Sequence, residues 1–173
     1  MYKRLFILIE GPDDGRFFQL IIKPLFEIKY SNVVIWEHAS KSPQKTKNLI
    51  NSINAMPSDY IFVTDMNSAP CITRRKEAKL SKLNNLNKDR IIVVIKEIES
   101  WYLAGLDDLH CKKYKIPSYK FTDGITKERF DSLIPRKFGG SRIEFLQEIL
   151  KYFQVKTAKQ KNKSFNYFLE KHV

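Results

Sequence analysis

At 173 residues, with 43% hydrophobic side chains and a formal charge of +12, the chain is long enough to bury a substantial core and basic enough to attract polyanions. The only two cysteines, Cys71 and Cys111, lie far apart with no C-x-x-C spacing, which suits a reducing cytosol better than a secreted disulfide framework. With no signal peptide and no long hydrophobic segment, a soluble cytoplasmic protein is expected.

The first predicted element is a strand through Leu5–Ile9, an unbroken apolar run that ends abruptly in Glu10, Gly11, Pro12, Asp13 and Asp14. Its Ile and Leu content fits a strand covered on both faces, as in a parallel sheet. Asp13 or Asp14 is suited to cap the helix that follows, which carries Phe17, Phe18, Ile21, Ile22 and Phe26, and Pro24 should bend that helix or end its regular part. Asn32 to Trp36 reads as the second strand, and Ser42-Pro43 opens a helix through Leu49, Ile50 and Ile53. Residues 59–64 supply the third strand, 72–86 a charged surface helix and 90–95 the fourth strand. This alternation predicts an α/β fold with a mainly parallel four-stranded sheet flanked by helices.

Beyond the fourth strand, Ile98 to Gly105 predicts a short helix, and residues 106–121 lack clear periodicity. From Thr126 onward the pattern is helical again, with Ser141 and Glu144 forming a capping-box signature. The division expected is an α/β core over 1–105 and a basic, mostly helical C-terminal extension over 106–173. Residues 112–173 hold 15 Lys plus Arg against 6 Asp plus Glu, whereas residues 1–111 hold 16 against 13. Nucleic acid is therefore the first partner expected, and a second copy of the chain or another protein stays open as a further partner.

Three apolar runs end in acids: the first at Glu10, the third at Asp65-Met66-Asn67, the fourth at Glu97-Ile98-Glu99. In open parallel sheets ligands sit beyond the carboxyl ends of the strands, so acids converging there suggest a site for a hard divalent cation. His110-Cys111 is adjacent rather than spaced, which disfavours zinc. No G-x-G-x-x-G or G-x-x-x-x-G-K-[ST] occurs, so a Gly-rich phosphate cradle is not expected.

Glu10 and Asp14 after a strand, followed by Asp65-Met66-Asn67 after another, resemble the first and D-x-D motifs of the Toprim family of topoisomerases, primases and OLD-type nucleases. The resemblance covers roughly residues 3–105 and is closest to small Toprim-like proteins associated with mobile-element and phage defence, which share an acidic-Trp motif like Glu97-Ile98-Glu99-Ser100-Trp101. It implies a Toprim-like, Rossmann-like core and a magnesium- or manganese-dependent nuclease, a hydrolase of phosphodiesters. Glu10 and Asp65 would be the catalytic pair, and Glu10, Asp14, Asp65, Asn67 and Glu99 the Mg2+ or Mn2+ ligands. Asn67 departs from the pattern, since an aspartate is expected there and asparagine supplies less charge. The alternative is a weakly active or inactive Toprim-like protein that binds nucleic acid or regulates. Arg74, Arg75 and Lys76 follow the Asp65 loop closely enough to meet phosphates, with Lys79 beside them. Lys159 and Lys163, near Phe165 and Tyr167, mix charge and aromatics as single-strand binders do. Trp101 and Tyr102 are expected in packing rather than base stacking.

Overall fold

A computed structural model describes residues 3–173, which divide into two compact units, one ending at Val94 and the other beginning at Ile95.

In the first unit β1 (Arg4–Ile9), β2 (Asn32–Glu37), β3 (Ser58–Asp65) and β4 (Ile91–Val94) form one all-parallel sheet in the order β2-β1-β3-β4, a Rossmann-like arrangement. The chain leaves β1 toward one side for β2 and then crosses back to the other side for β3. The topological switch point therefore lies between β1 and β3, where open α/β sheets place their ligands. Ile7, Leu8 and Ile9 are all fully buried, as a strand covered on both faces requires. One face carries Leu8, Tyr60, Phe62, Ile91 and Val93, and packs against Ile50 and Ile53 of α3 (Pro43–Asn54) and against Leu83 and Leu86. Leu80 of α4 (Ile72–Lys82) joins this cluster, although no residue of α4 is itself fully buried.

On the way from β1 to β2, α1 (Pro12–Phe17) runs into a π-helical turn over Phe18–Ile22 and then α2 (Lys23–Phe26). Pro24 has no N–H and its ring crowds the preceding turn, and the helix responds by widening just before it rather than by breaking. The cap of α1 is Gly11, with Asp14 Oδ2 accepting from the Gly11 N–H at 3.1 Å, so Asp14 serves at N3 rather than at the cap position expected.

The second unit is helical: α5 (Glu99–Ala104), α6 (Asp108–Tyr114), α7 (Lys127–Asp131), α8 (Arg142–Lys151), α9 (Val155–Lys161) and α10 (Lys163–His172). α5 is buried throughout and packs on α7, α8 and α9, so it belongs with these helices and the division falls earlier than residue 105. α6 fills the stretch that shows no periodicity in sequence. Asp107 caps it by accepting the His110 N–H at 2.9 Å, and Lys115 ends it in a left-handed conformation at φ 57°. Ser141 caps α8 as its signature predicts, accepting the Glu144 N–H.

The core of this unit is aromatic, with Trp101, Phe130, Phe145, Phe165 and Phe168 fully buried. At Gly105 a Cβ would stand 2.1 Å from the Phe153 ring, so only glycine admits this close approach. Buried Asn162 satisfies a neutral polar network. Its amide donates to Ser100 and Thr122, its oxygen accepts from the Phe165 N–H and the Ser164 hydroxyl, and the Ser164 oxygen accepts from Trp101 Nε1 at 2.8 Å. Trp101 is thus a packing residue, as expected.

Among the described residues no helix is long and apolar enough to cross a membrane. Both cysteines are free, and burial pushes the Cys111 thiol up.

Candidate functional site at the sheet switch point

The parallel register sets the site. Leu8 lies opposite Phe62 on one side and Ile9 opposite Glu37 on the other. Continuing both ladders places Glu10 between Thr64 and His38, across the carboxyl ends of β2, β1 and β3. Backbone bonds from His38 N to Ile9 O and from Ala39 N to Glu10 O carry the pairing past the last strand residues.

Glu10 Oε1 is the centre of this row. It accepts a short hydrogen bond from the Thr64 hydroxyl, a 3.0 Å bond from Arg75 Nη2 and a 3.1 Å bond from Lys79 Nζ. Arg75 also donates to Thr64 Oγ1 through Nε and Nη2 at 3.2 and 2.9 Å. Arg75 and Lys79 are four residues apart on α4, so one helix face delivers both cations to one carboxylate. Burial pushes the Glu10 carboxyl up, but the Thr64 bond and the Lys79 and Arg75 charges outweigh it and hold the group below the usual carboxylate range. Lys79 is itself lowered, first by burial and next by Arg75, against the pull of Glu10.

On the other flank of Glu10, His38 is buried and stacks on Phe62, with ring centroids 4.4 Å apart. Its Nε2 lies 3.2 Å from the Val63 carbonyl, and since a carbonyl only accepts, Nε2 carries the proton. Burial is the main cause that pushes its pKa down to about 4, with Lys79 and Arg75 adding to it and the Val63 bond and Glu10 opposing. His38 is therefore neutral near pH 7.

The remaining sequence candidates take other places. Asp65 ends β3 opposite Val94, directly after Thr64. Asn67 is exposed in the turn closed by the Ala69 N–H to Met66 O bond, at φ 48°, a left-handed conformation that asparagine tolerates. The backbone at this position suits a short polar side chain, asparagine or the expected aspartate alike. Asp13 pairs with Arg16, and Asp14 serves the start of α1. Glu99 belongs to the second unit, where it is buried and paired with Arg142, which also holds Asp131. Burial raises the Glu99 carboxyl against that pairing. Glu97 accepts from the Lys127 N–H. Of the basic candidates, Arg74 pairs with exposed Glu77 and Lys76 donates to the Lys88 carbonyl, so Arg75 alone of that triplet reaches Glu10. Lys159 and Lys163 are exposed.

His38 and Thr64 complete the row without standing out in sequence. Thr64 carried a signal, a lone polar residue at the end of an apolar strand. His38 carried one only through its place just past β2.

This donor set does not fit a divalent cation. Glu10 commits one oxygen to three donors, two of them positively charged, and among the described residues no three His, Cys, Asp or Glu side chains gather as a metal-binding group. What the arrangement offers is anion contact: Arg75 has its Nη1 donors and Lys79 its remaining ammonium protons for a further acceptor. No protein-family model, curated protein or solved structure matches the chain.

Proposed function

We propose that this is a Toprim-like nucleic-acid-binding protein with a regulatory role, in which the switch-point cluster contacts backbone phosphate and does not carry out metal-dependent hydrolysis. The observation that carries this reading is the pair Arg75 and Lys79, both held on Glu10 at the carboxyl end of β1. Glu10 gathers both cations at the strand ends and competes with a phosphate for them, so an arriving phosphate binds by drawing them from that carboxylate. The basic balance of the chain supports the same partner, since Lys and Arg outnumber Asp and Glu by 31 to 19. The Toprim-like order of Glu10, Asp14 and Asp65 supports descent from, or kinship with, proteins that act on nucleic acid, while the donor set and Asn67 weigh against the nuclease chemistry.

The test is binding and cleavage measured together. Wild type and an Arg75→Ala/Lys79→Ala variant are incubated with single- and double-stranded DNA and RNA, with Mg2+ or Mn2+ present. The expected result is salt-sensitive binding without cleavage, and a salt slope on duplex DNA lower by about 2 in the variant, near one per lost phosphate contact. Metal-dependent cleavage that disappears in Glu10→Ala and Asp65→Ala would instead establish the nuclease and overturn this reading.

A further inference from the structure

The second unit contains an open cavity of about 510 Å³, within the roughly 300–1,000 Å³ range of small-molecule sites. Its wall is built from residues 113–116, at the end of α6, and residues 132–137. Four of these are cationic (Lys113, Lys115, Arg136 and Lys137) and none is acidic. Among the described residues none of the four is paired with a carboxylate. Lys113 instead lies over the Tyr152 ring, 4.4 Å from its centroid, and Lys137 lies 4.5 Å from the Tyr114 centroid and 4.7 Å from that of Phe138. Glu148 on a neighbouring helix is hydrogen-bonded to the Tyr114 hydroxyl at 3.0 Å and paired with Lys151 at 2.8 Å, and it feels the Lys137 charge without forming an ion pair with it. The rest of the wall is mostly apolar, with Ile116, Leu133, Ile134, Pro135 and the Tyr114 ring, and one hydroxyl from Ser132.

Like charges gathered around one concavity repel each other, and the field they focus into it favours an anion. An apolar wall beside them favours a ligand that is anionic at one end and flat and apolar at the other. We propose that this pocket binds a nucleoside monophosphate unit, free or at the end of a single strand, with its phosphate against the lysines and arginine and its base against the apolar wall. The cation–π contacts keep Lys113 and Lys137 partly ordered, so an entering phosphate meets placed charges. The site stands independently of the Glu10 cluster, because it shares no residue with it.

The full chain is titrated calorimetrically with adenosine 5′-monophosphate, adenosine, inorganic phosphate, and a short oligonucleotide with and without a 5′-phosphate. Adenosine 5′-monophosphate or the phosphorylated oligonucleotide should bind on the order of tenfold tighter than the unphosphorylated forms and than phosphate alone. Tighter binding of one over the other assigns the source as free nucleotide or strand end. An Arg136→Ala/Lys137→Ala variant, whose residues are exposed, should keep its melting temperature and lose about tenfold in affinity. In the Arg75→Ala/Lys79→Ala variant the preference for the phosphorylated over the unphosphorylated forms should persist, whatever that variant loses in overall strand affinity. Equal affinity in the Arg136/Lys137 variant, absence of binding by wild type, or phosphate alone binding as tightly as the nucleotide would each overturn the proposal. Because the two double variants read separate sites, failure here leaves the switch-point reading standing, and the reverse also holds.

Discussion

Each end of the sheet carries a carboxylate clasped by two cations, yet the two ends do different work. At the amino end Asp59 takes Lys3 at 2.7 Å and Arg90 at 3.3 Å, with the Tyr30 hydroxyl at 2.9 Å. At the carboxyl end Glu10 takes Arg75 and Lys79 at nearly the same distances. The geometry of the pairs is alike, so an ion-pair inventory would not separate them. Exposure does: Lys3 and Arg90 side chains keep 54% and 37% of their surface, whereas Arg75 and Lys79 keep 18% each. Water screens the first pair strongly and the second weakly. The carboxyl end also holds a buried neutral imidazole and lies at the switch point, while the amino end ties strand starts together. Position and desolvation, more than pairing, mark the candidate site.

The largest effect expected concerns His38. Its folded pKa of about 4 lies below its ordinary 6.5, so between these values the unfolded chain binds more protons. The neutral ring's contribution is fully present above pH 6.5 and is lost as the pH falls toward 4, up to about 3 kcal/mol in all. Denaturant unfolding across that window should show stability rising with pH in wild type and a flatter profile in His38→Gln. An unchanged profile would place the titration elsewhere.

Next comes removal of each carboxylate. Glu10→Ala strands two poorly hydrated cations and should cost about 1–3 kcal/mol, while Asp59→Ala, whose partners are largely solvated, should cost about 0–1 kcal/mol. Equal costs in chemical denaturation would erase the distinction between the ends. The smallest effect is local to the turn after β3. Asn67→Gly should be near neutral, whereas Asn67→Val should cost about 1–2 kcal/mol, because the position is left-handed. If both variants melted alike, the backbone account of Asn67 would fail.

Much of this unit was legible in the sequence. Apolar runs give the four strands, and the acids that follow the first and third put Glu10 and Asp65 at carboxyl tips, because a buried parallel strand writes its length directly into composition. Arg75 and Lys79 were visible as helix cations, but which of Arg74, Arg75 and Lys76 turns inward depends on the phase of α4 against the sheet. Asp14 serves at N3 because α1 begins two to three residues earlier than a cap at Asp13 or Asp14 implies. His38 was hidden because its partners, Phe62 and Val63, arrive through strand order, which spacing along the chain does not state. Glu99 illustrates the opposite difficulty: an acid beyond an apolar strand resembles a ligand until Arg142, 43 residues later, takes it. α6 escaped notice since seven residues carry too few apolar positions to show a period.

The most direct test is the affinity of Glu10→Gln for an oligonucleotide, set beside Asp59→Asn at one fixed salt concentration. If Glu10 competes with phosphate for these two cations, removing its charge while keeping its shape frees them, and Glu10→Gln should bind about tenfold tighter than wild type while Asp59→Asn binds the same. Weaker binding by Glu10→Gln, or an equal gain in both variants, would contradict the assignment of the switch-point cluster as a phosphate contact.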